Sequence, residues 1–151
     1  MTRTFQEDFS HIIDLIQICL AEEIEKGMEV PSNSYFQDLI NQENIFLLIH
    51  EEENNLVGFV LLEGEIGGSP SSIMMMGVEP LYRRKKIGTT LLKAVIDLAR
   101  ENNWTKIKIL VRPNNFPMRC LITQLGFIPE ALLRKELFKE DVIAYAYFPI
   151  D

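Results

Sequence analysis

Apolar positions along the chain change their spacing several times, and each change marks an element. Phe9, Ile12, Ile13, Ile16, Leu20 and Ile24 recur three and four residues apart, which predicts an amphipathic helix over 8–26, closed by Gly27. A poor strand signal over 2–5 precedes it. Ser34-Tyr35-Phe36-Gln37 has the form of a capping box and predicts a short helix over 34–41. Residues 45–51 and 56–63 read as strands around a tight turn at Asn54-Asn55. The second of these is apolar on both faces, with Val57, Phe59 and Leu61 alternating with Leu56, Val60 and Leu62. Such a strand lies inside a sheet covered on both sides. Gly67-Gly68 and Ser69-Pro70 fall in a loop over 64–72. A strand over 73–78 follows, stopped by Pro80, and its three methionines read as core filler.

After Gly88 the helical period returns, with Leu91, Leu92, Val95, Leu98 and Ala99 on one stripe of a helix that runs to residue 102. Lys106, Ile107, Lys108 and Ile109 alternate within a strand over 105–111 that buries one face. Asn115 as N-cap, Pro117 in the first turn, and Met118, Leu121, Ile122 and Leu125 predict a short helix ended by Gly126. Strands over 132–138 and 142–148 hinge at Lys139-Glu140-Asp141. The order (β)ααβββαβαββ predicts an α/β (α+β) fold: a single mixed, mostly antiparallel sheet flanked by helices. With 151 residues and no repeat or linker, it reads as one domain.

Composition narrows the functional classes. Apolar residues are 47% and charged residues 25%, the balance of a water-exposed globular protein. No apolar run reaches the roughly 18 residues of a membrane span. Glu7 and Asp8 interrupt the N-terminal stretch, so no secretory signal is visible and a cytoplasmic location is expected. Cys19 and Cys120 stand in no metal or redox spacing. With His11 and His50 far apart in type of element, neither a metal site nor a metal cofactor is expected. A net charge of −7 argues against nucleic acid as a partner, because phosphate contacts need a basic face. Glu22, Glu23 and Glu25 make the end of the first helix acidic, which suits either a solvated face or a rim for an amine.

Against that acidic background, four consecutive cations stand out. The stretch V-E-P-L-Y-R-R-K-K-I-G-T, from Val78 to Thr89, places Arg83, Arg84, Lys85 and Lys86 just before the helix that contains Gly88. Cations oppose the dipole at a helix start, whereas a polyanion there would meet free N–H groups and neutralising charge together. No Walker loop, dinucleotide loop, nucleophile elbow or H-E-x-x-H pattern is present.

This stretch resembles the acyl-CoA-binding motif of the GNAT acyltransferase superfamily, Arg/Gln-x-x-Gly-x-Gly/Ala. Arg83 takes the first position, Gly88 the last, and Lys86 replaces the usual first glycine. A second stretch, from Asn115 to Phe127, is similar to the family's N-x-x-A-x-x-L-Y-x-K-x-G-F. Asn115, Leu121, Leu125, Gly126 and Phe127 fit, Met118 replaces the alanine, and Ile122 replaces the tyrosine that in many members protonates the leaving thiolate. The resemblance implies an N-acetyltransferase that uses acetyl-CoA as acyl donor and transfers directly to a primary amine in a ternary complex. It implies a phosphate-binding loop of Arg83, Arg84, Lys85, Lys86, Ile87, Gly88 and Thr89, a pantetheine strand of Met76, Gly77 and Val78, and further cofactor contacts at Asn115 and Ile122. Glu63, Glu65 and Glu79 are the candidate bases by position. Tyr145 and Tyr147, alternating on the last strand, could supply the missing hydroxyl. The acceptor is expected to be a cationic small molecule or peptide amine, with neither nucleic acid nor membrane as partner, and the protein a monomer or homodimer. A catalytically weak or silent acyl-CoA-binding domain is the alternative that Lys86 and Ile122 support.

Overall fold

The computed structural model describes residues 2–3, 10–65 and 67–150. Strand β1 (Thr2–Arg3) is followed by helices α1 (Ser10–Cys19), α2 (Ala21–Glu25) and α3 (Asn33–Ile40). Three strands follow, β2 (Ile45–Glu52), β3 (Asn55–Gly64) and β4 (Pro70–Val78). A 3-10 turn at Pro80–Tyr82 leads to α4 (Ile87–Glu101), then β5 (Lys106–Val111), α5 (Phe116–Gln124), β6 (Ile128–Leu137) and β7 (Glu140–Tyr147). The strands form one seven-stranded sheet, β1-β2-β3-β4-β5-β7-β6, antiparallel throughout except between β4 and β5. The expected mixed sheet with helices on both faces is therefore what the chain builds.

The double-sided apolar pattern of β3 is explained by its two cores. On one face Leu91, Leu92 and Val95 of α4 pack with Val60, Leu62, Ile107 and Ile122. On the other, Ile12, Leu15 and Ile16 of α1 and Phe36 and Ile40 of α3 cover Leu47, Phe59 and Leu61. Leu91, Leu92 and Val95 are fully buried, each worth roughly 1.5–3 kcal/mol against remaining exposed.

Several boundaries differ from expectation for local reasons. The first helix breaks at Leu20 (φ −113°, ψ 30°) into α1 and α2, although Leu20 N–H still donates to Ile16 O and Ile24 N–H to Leu20 O. Positions 8 and 9 of that expected helix, and part of the expected first strand, lie outside the described residues. The cap of α3 is Ser32, two residues before the expected Ser34: Ser32 is extended, and its Oγ accepts from Tyr35 N at 3.1 Å. The β2–β3 turn is Glu53-Asn54, both at positive φ as a two-residue hairpin of this type requires, and Asn55 pairs with Glu52. Strand β4 starts at Pro70 instead of residue 73, because Ser71 is satisfied in a buried position by donating to Lys106 O at 3.0 Å. Strand β6 starts four residues early. It is the exposed edge of the sheet, so no alternation marks it. Its link to β7 is the two-residue turn Phe138-Lys139, again at positive φ.

Candidate active site

The parallel partners β4 and β5 stay together only briefly. Pairing joins Pro70, Ser71 and Ser72 to Lys106, Ile107 and Lys108. Just beyond, the β3–β4 register steps from Leu62↔Ile73 to Leu61↔Met75, leaving Met74 as a bulge. A bulge bends its strand, and past it a cavity of about 270 Å³ separates β4 from β5. From Ile73 onward, the edge of β4 that faces β5 has no strand partner among the described residues.

This slot passes through the sheet. Ile73 to Met76 and Ile109 to Val111 form its long walls. Asn115 and Met118 reach it from the α5 side, and Leu20, Glu23 and Met28 from the α1–α3 side. Arg112, Leu137 and Phe138 complete the lining. Met75 and Met76 pack against the two cores as filler does, and together with Met74, which is 42% exposed, they also line the slot.

At the α2 side the slot is bordered by a chain of ion pairs. Arg112, at the end of β5 and 8% exposed, pairs with Glu23 of α2, and its Nε donates to Glu140 Oε2 at 2.8 Å. Lys26 Nζ donates to Glu140 Oε1 at 2.7 Å and to Glu22 Oε1 at 2.9 Å. Lys26 thereby holds the carboxyls of Glu22 and Glu140 below their usual range, and its own pKa is raised, chiefly by Glu140. Arg112 Nη2 is buried without an acceptor among the described residues.

At the N-terminus of α4, next to the end of β4, lies the cation loop. Arg83, Arg84, Lys85 and Lys86 are all exposed. Arg83 Nε donates to Val78 O at 3.0 Å, tying the loop to the end of β4. Lys85 Nζ sits 5.1 Å above the Tyr82 ring centre. Lys86 caps α4 in the left-handed region (φ 63°), and its carbonyl accepts from Thr90 N and Thr90 Oγ1, both at 3.0 Å.

A sequence profile described as the acetyltransferase (GNAT) family matches residues 10–127, which include the slot strands, the cation loop and α5. The chain belongs to the GNAT acetyltransferase family. A Bacillus subtilis (strain 168) protein, named as a candidate [ribosomal protein bS18]-alanine N-acetyltransferase, is 23% identical over 109 residues, 72% of this chain and 70% of that one. Among solved structures, the ribosomal-protein-S18-alanine N-acetyltransferase of Escherichia coli superposes with a TM-score of 0.81 at 18% identity, over 99% of this chain and 93% of that one. An aminoglycoside 6'-N-acetyltransferase complexed with coenzyme A gives 0.76 at 14% identity, covering 100% and 98%. These likenesses concern the fold.

Within this GNAT framework the expected site residues separate into groups. Met76 and Asn115 line the slot. Val78 packs toward the α4 core, while Gly77 faces α1. Asn115 also caps α5, its Oδ1 accepting from Met118 N at 3.3 Å. Ile87, Gly88 and Thr89 form the first turn of α4. Gly88 lies against α5, where an added Cβ would stand 3.1 Å from Leu121 Cδ2. Its smallness serves the contact between the two helices. The Lys86 position adopts the backbone that glycine takes freely, which explains the family's glycine there.

The candidate acid–base groups are not gathered at the slot. Glu63 is exposed, opposite Ser72 at the closed end of β4, and accepts from Asn44 Nδ2 at 3.5 Å. Glu65 is exposed beyond β3. Glu79 precedes the 3-10 turn, with its N–H donating to Val57 O at 2.8 Å. None of these three lines the slot. Tyr145 is buried, and its hydroxyl accepts from Arg119 Nε at 3.1 Å. The Tyr147 hydroxyl accepts from Arg100 Nη2 at 3.3 Å. Ile122 is fully buried in the α4–α5 core. Sequence reasoning missed Arg112, which falls between the expected strand over 105–111 and the expected N-cap at Asn115. The available signal was an arginine at the very end of an alternating strand, with an acidic helix elsewhere needing a partner.

Proposed function

We propose that this protein transfers the acetyl group of acetyl-CoA to a primary amine by direct attack in a ternary complex. The observation that supports this most is the slot itself, whose unpaired β4 edge leads to the cation loop and whose lining carries a carboxylate. The donor's phosphates would meet Arg83, Arg84, Lys85 and Lys86 and the N–H groups of Ile87, Gly88 and Thr89, where charge and free backbone donors coincide. Its amide-bearing arm would add along the unpaired edge of β4 at Met76, Gly77 and Val78 as an extra strand does. Asn115 borders that path, and Ile122 backs it from the core.

The amine would approach from the α2 side. Its nitrogen, having lost one proton, attacks the thioester carbon, negative charge gathers on the carbonyl oxygen, and a β4 N–H near the bulge would stabilise it. The C–S bond then breaks, coenzyme A leaves as thiolate, and the nitrogen's second proton passes to that thiolate or to water. A thiol pKa of about 8.5 makes that departure feasible near neutral pH without an acid. Glu79, Glu63 and Tyr145, none of which lines the slot, would contribute through intervening water. A cationic acceptor, cytoplasmic action and a single-domain enzyme working as a monomer or homodimer without a metal complete this reading.

One observation favours the second reading, an acyl-CoA-binding domain without turnover: among the described residues, no hydroxyl-bearing side chain lines the slot. Coenzyme A release from acetyl-CoA, followed with and without a panel of primary amines, separates the two. Amine-dependent release is expected. Tight acetyl-CoA binding with no amine-dependent release would support the binding domain instead.

A further inference from the structure

The α2 side of the slot carries one charge and much apolar surface. In the ion-pair chain, the three carboxylates of Glu22, Glu23 and Glu140 face the two cations of Lys26 and Arg112, which leaves one negative charge. Among the described residues, Glu23 is the sole carboxylate on the slot lining, and its partner Arg112 is held from behind by Glu140. Around Glu23 the wall is Leu20, Met28, Met74, Leu137 and Phe138. Of the acidic rim visible in the sequence, Glu22 and Glu23 are thus paired by Lys26 and Arg112 and Glu25 lies off the slot, so what the slot offers is a seat for a single ammonium beside an apolar surface.

Resting on the acetyltransferase reading above, we infer that the acceptor is a monoamine on an apolar stem, its ammonium seated at Glu23 and its stem laid against the methionine- and phenylalanine-lined wall. Methionine suits this role, since its flexible thioether adapts to varied apolar shapes. A polyamine fits poorly, because a second ammonium would have to leave water for that wall without a partner, which is unfavourable. Glu23 acts here as a seat and orienting group. The proton lost before attack leaves with the bulk water at the slot mouth or through that carboxylate.

The test compares hexylamine with 1,6-diaminohexane as acceptors for acetyl-CoA, since the pair shares a six-carbon stem and differs in the second charge. kcat/KM for hexylamine is expected to exceed that for the diamine by at least tenfold. Glu23→Gln, which keeps an oxygen for Arg112, is expected to raise the KM for hexylamine at least tenfold while the acetyl-CoA dissociation constant stays within about twofold. Glu101→Gln, exposed at the end of α4 and outside this chain of ion pairs, is expected to leave both unchanged. Equal or better use of the diamine, or an unchanged KM in folded Glu23→Gln, would overturn the inference and leave the acetyltransferase reading standing. Failure of every amine in a wider panel, despite acetyl-CoA binding, would overturn both.

Discussion

Cys19, at the end of α1, packs directly against the α-carbon of Gly77 in β4: a Cβ added there would stand 2.6 Å from Cys19 Cβ and 2.9 Å from Phe59 Cε1. The helix thus reaches the slot strand only because position 77 has no side chain. Gly77→Ala should therefore destabilise the protein by about 1–3 kcal/mol, the usual range for overpacking. Chemical denaturation measures it, and Cys19→Gly in the same background should recover part of the loss.

The same contact sets the chemistry of the thiol. Burial raises the Cys19 pKa from 9.0 to about 11, although the nearby Arg83 opposes the shift. A raised folded-state pKa stabilises the fold below the unfolded value, and that contribution is lost as pH rises toward the folded one. Stability should therefore decline between about pH 9 and 11 in wild type, and less steeply in Cys19→Ala. At neutral pH a thiol reagent should modify the exposed Cys120 well before Cys19. Peptide mapping after brief labelling checks the order.

On the acid side the relevant groups are Glu22 and Glu140, whose carboxyls Lys26 holds below their ordinary range. A depressed pKa stabilises above the unfolded value and is lost as pH falls through the folded one. The clasp between α2 and the β6–β7 turn should persist at pH 5 and above and loosen below about 4.5. Hydrogen exchange at residues 21–28 and 137–141, compared at pH 6 and pH 4, should show faster opening at pH 4 after correction for intrinsic rate.

Lys86 holds a left-handed backbone that disfavours a side chain by roughly 1–2 kcal/mol. Lys86→Gly should stabilise the fold by up to about that amount while removing one phosphate contact. Lys86→Ala removes the contact and keeps the strain. A charge-assisted contact is worth roughly 1.5–3 kcal/mol, so both variants should bind acetyl-CoA more weakly, with Ala also less stable than Gly. Arg83→Ala should weaken binding too, through its lost charge and its lost tie to Val78 O. Calorimetry and thermal unfolding together separate the terms.

Restoring the family's tyrosine at position 122 meets a full core. Ile122 is completely buried between α4 and the sheet, so Ile122→Tyr adds volume and a hydroxyl that needs a partner. A loss of about 1–3 kcal/mol in stability is expected. If the ring turns toward the slot, the pH–rate profile gains a high-pH limb that wild type lacks. A profile unchanged from wild type would mean that the new hydroxyl never reaches the leaving sulfur.

The sequence disclosed most of the sheet because strands such as β3 and β5 carry their burial in their side chains. Leu62 and Leu61 must face opposite cores, and Lys108 must face water between two buried isoleucines. It disclosed the cation loop because four like charges before a helix have few structural uses. The slot was less legible. It depends on where β4 and β5 stop pairing and on the extra residue Met74, and neither leaves a pattern within one strand. Arg112, Glu23 and Glu140 lie 89 and 28 residues apart along the chain, so no local spacing could join them. Edge strand β6 was misplaced for the opposite reason, since exposure removes the alternation that would reveal it.

Amine-dependent acetyl transfer through the slot is tested most directly by product stoichiometry. Purified protein would be incubated with acetyl-CoA and hexylamine, with free coenzyme A thiol and N-acetylhexylamine quantified together over time. One molecule of amide is expected for each coenzyme A released, with saturation in both substrates and no accumulation of acetylated protein. Coenzyme A release at the same rate with and without amine, and no amide formed from any primary amine offered, would contradict it.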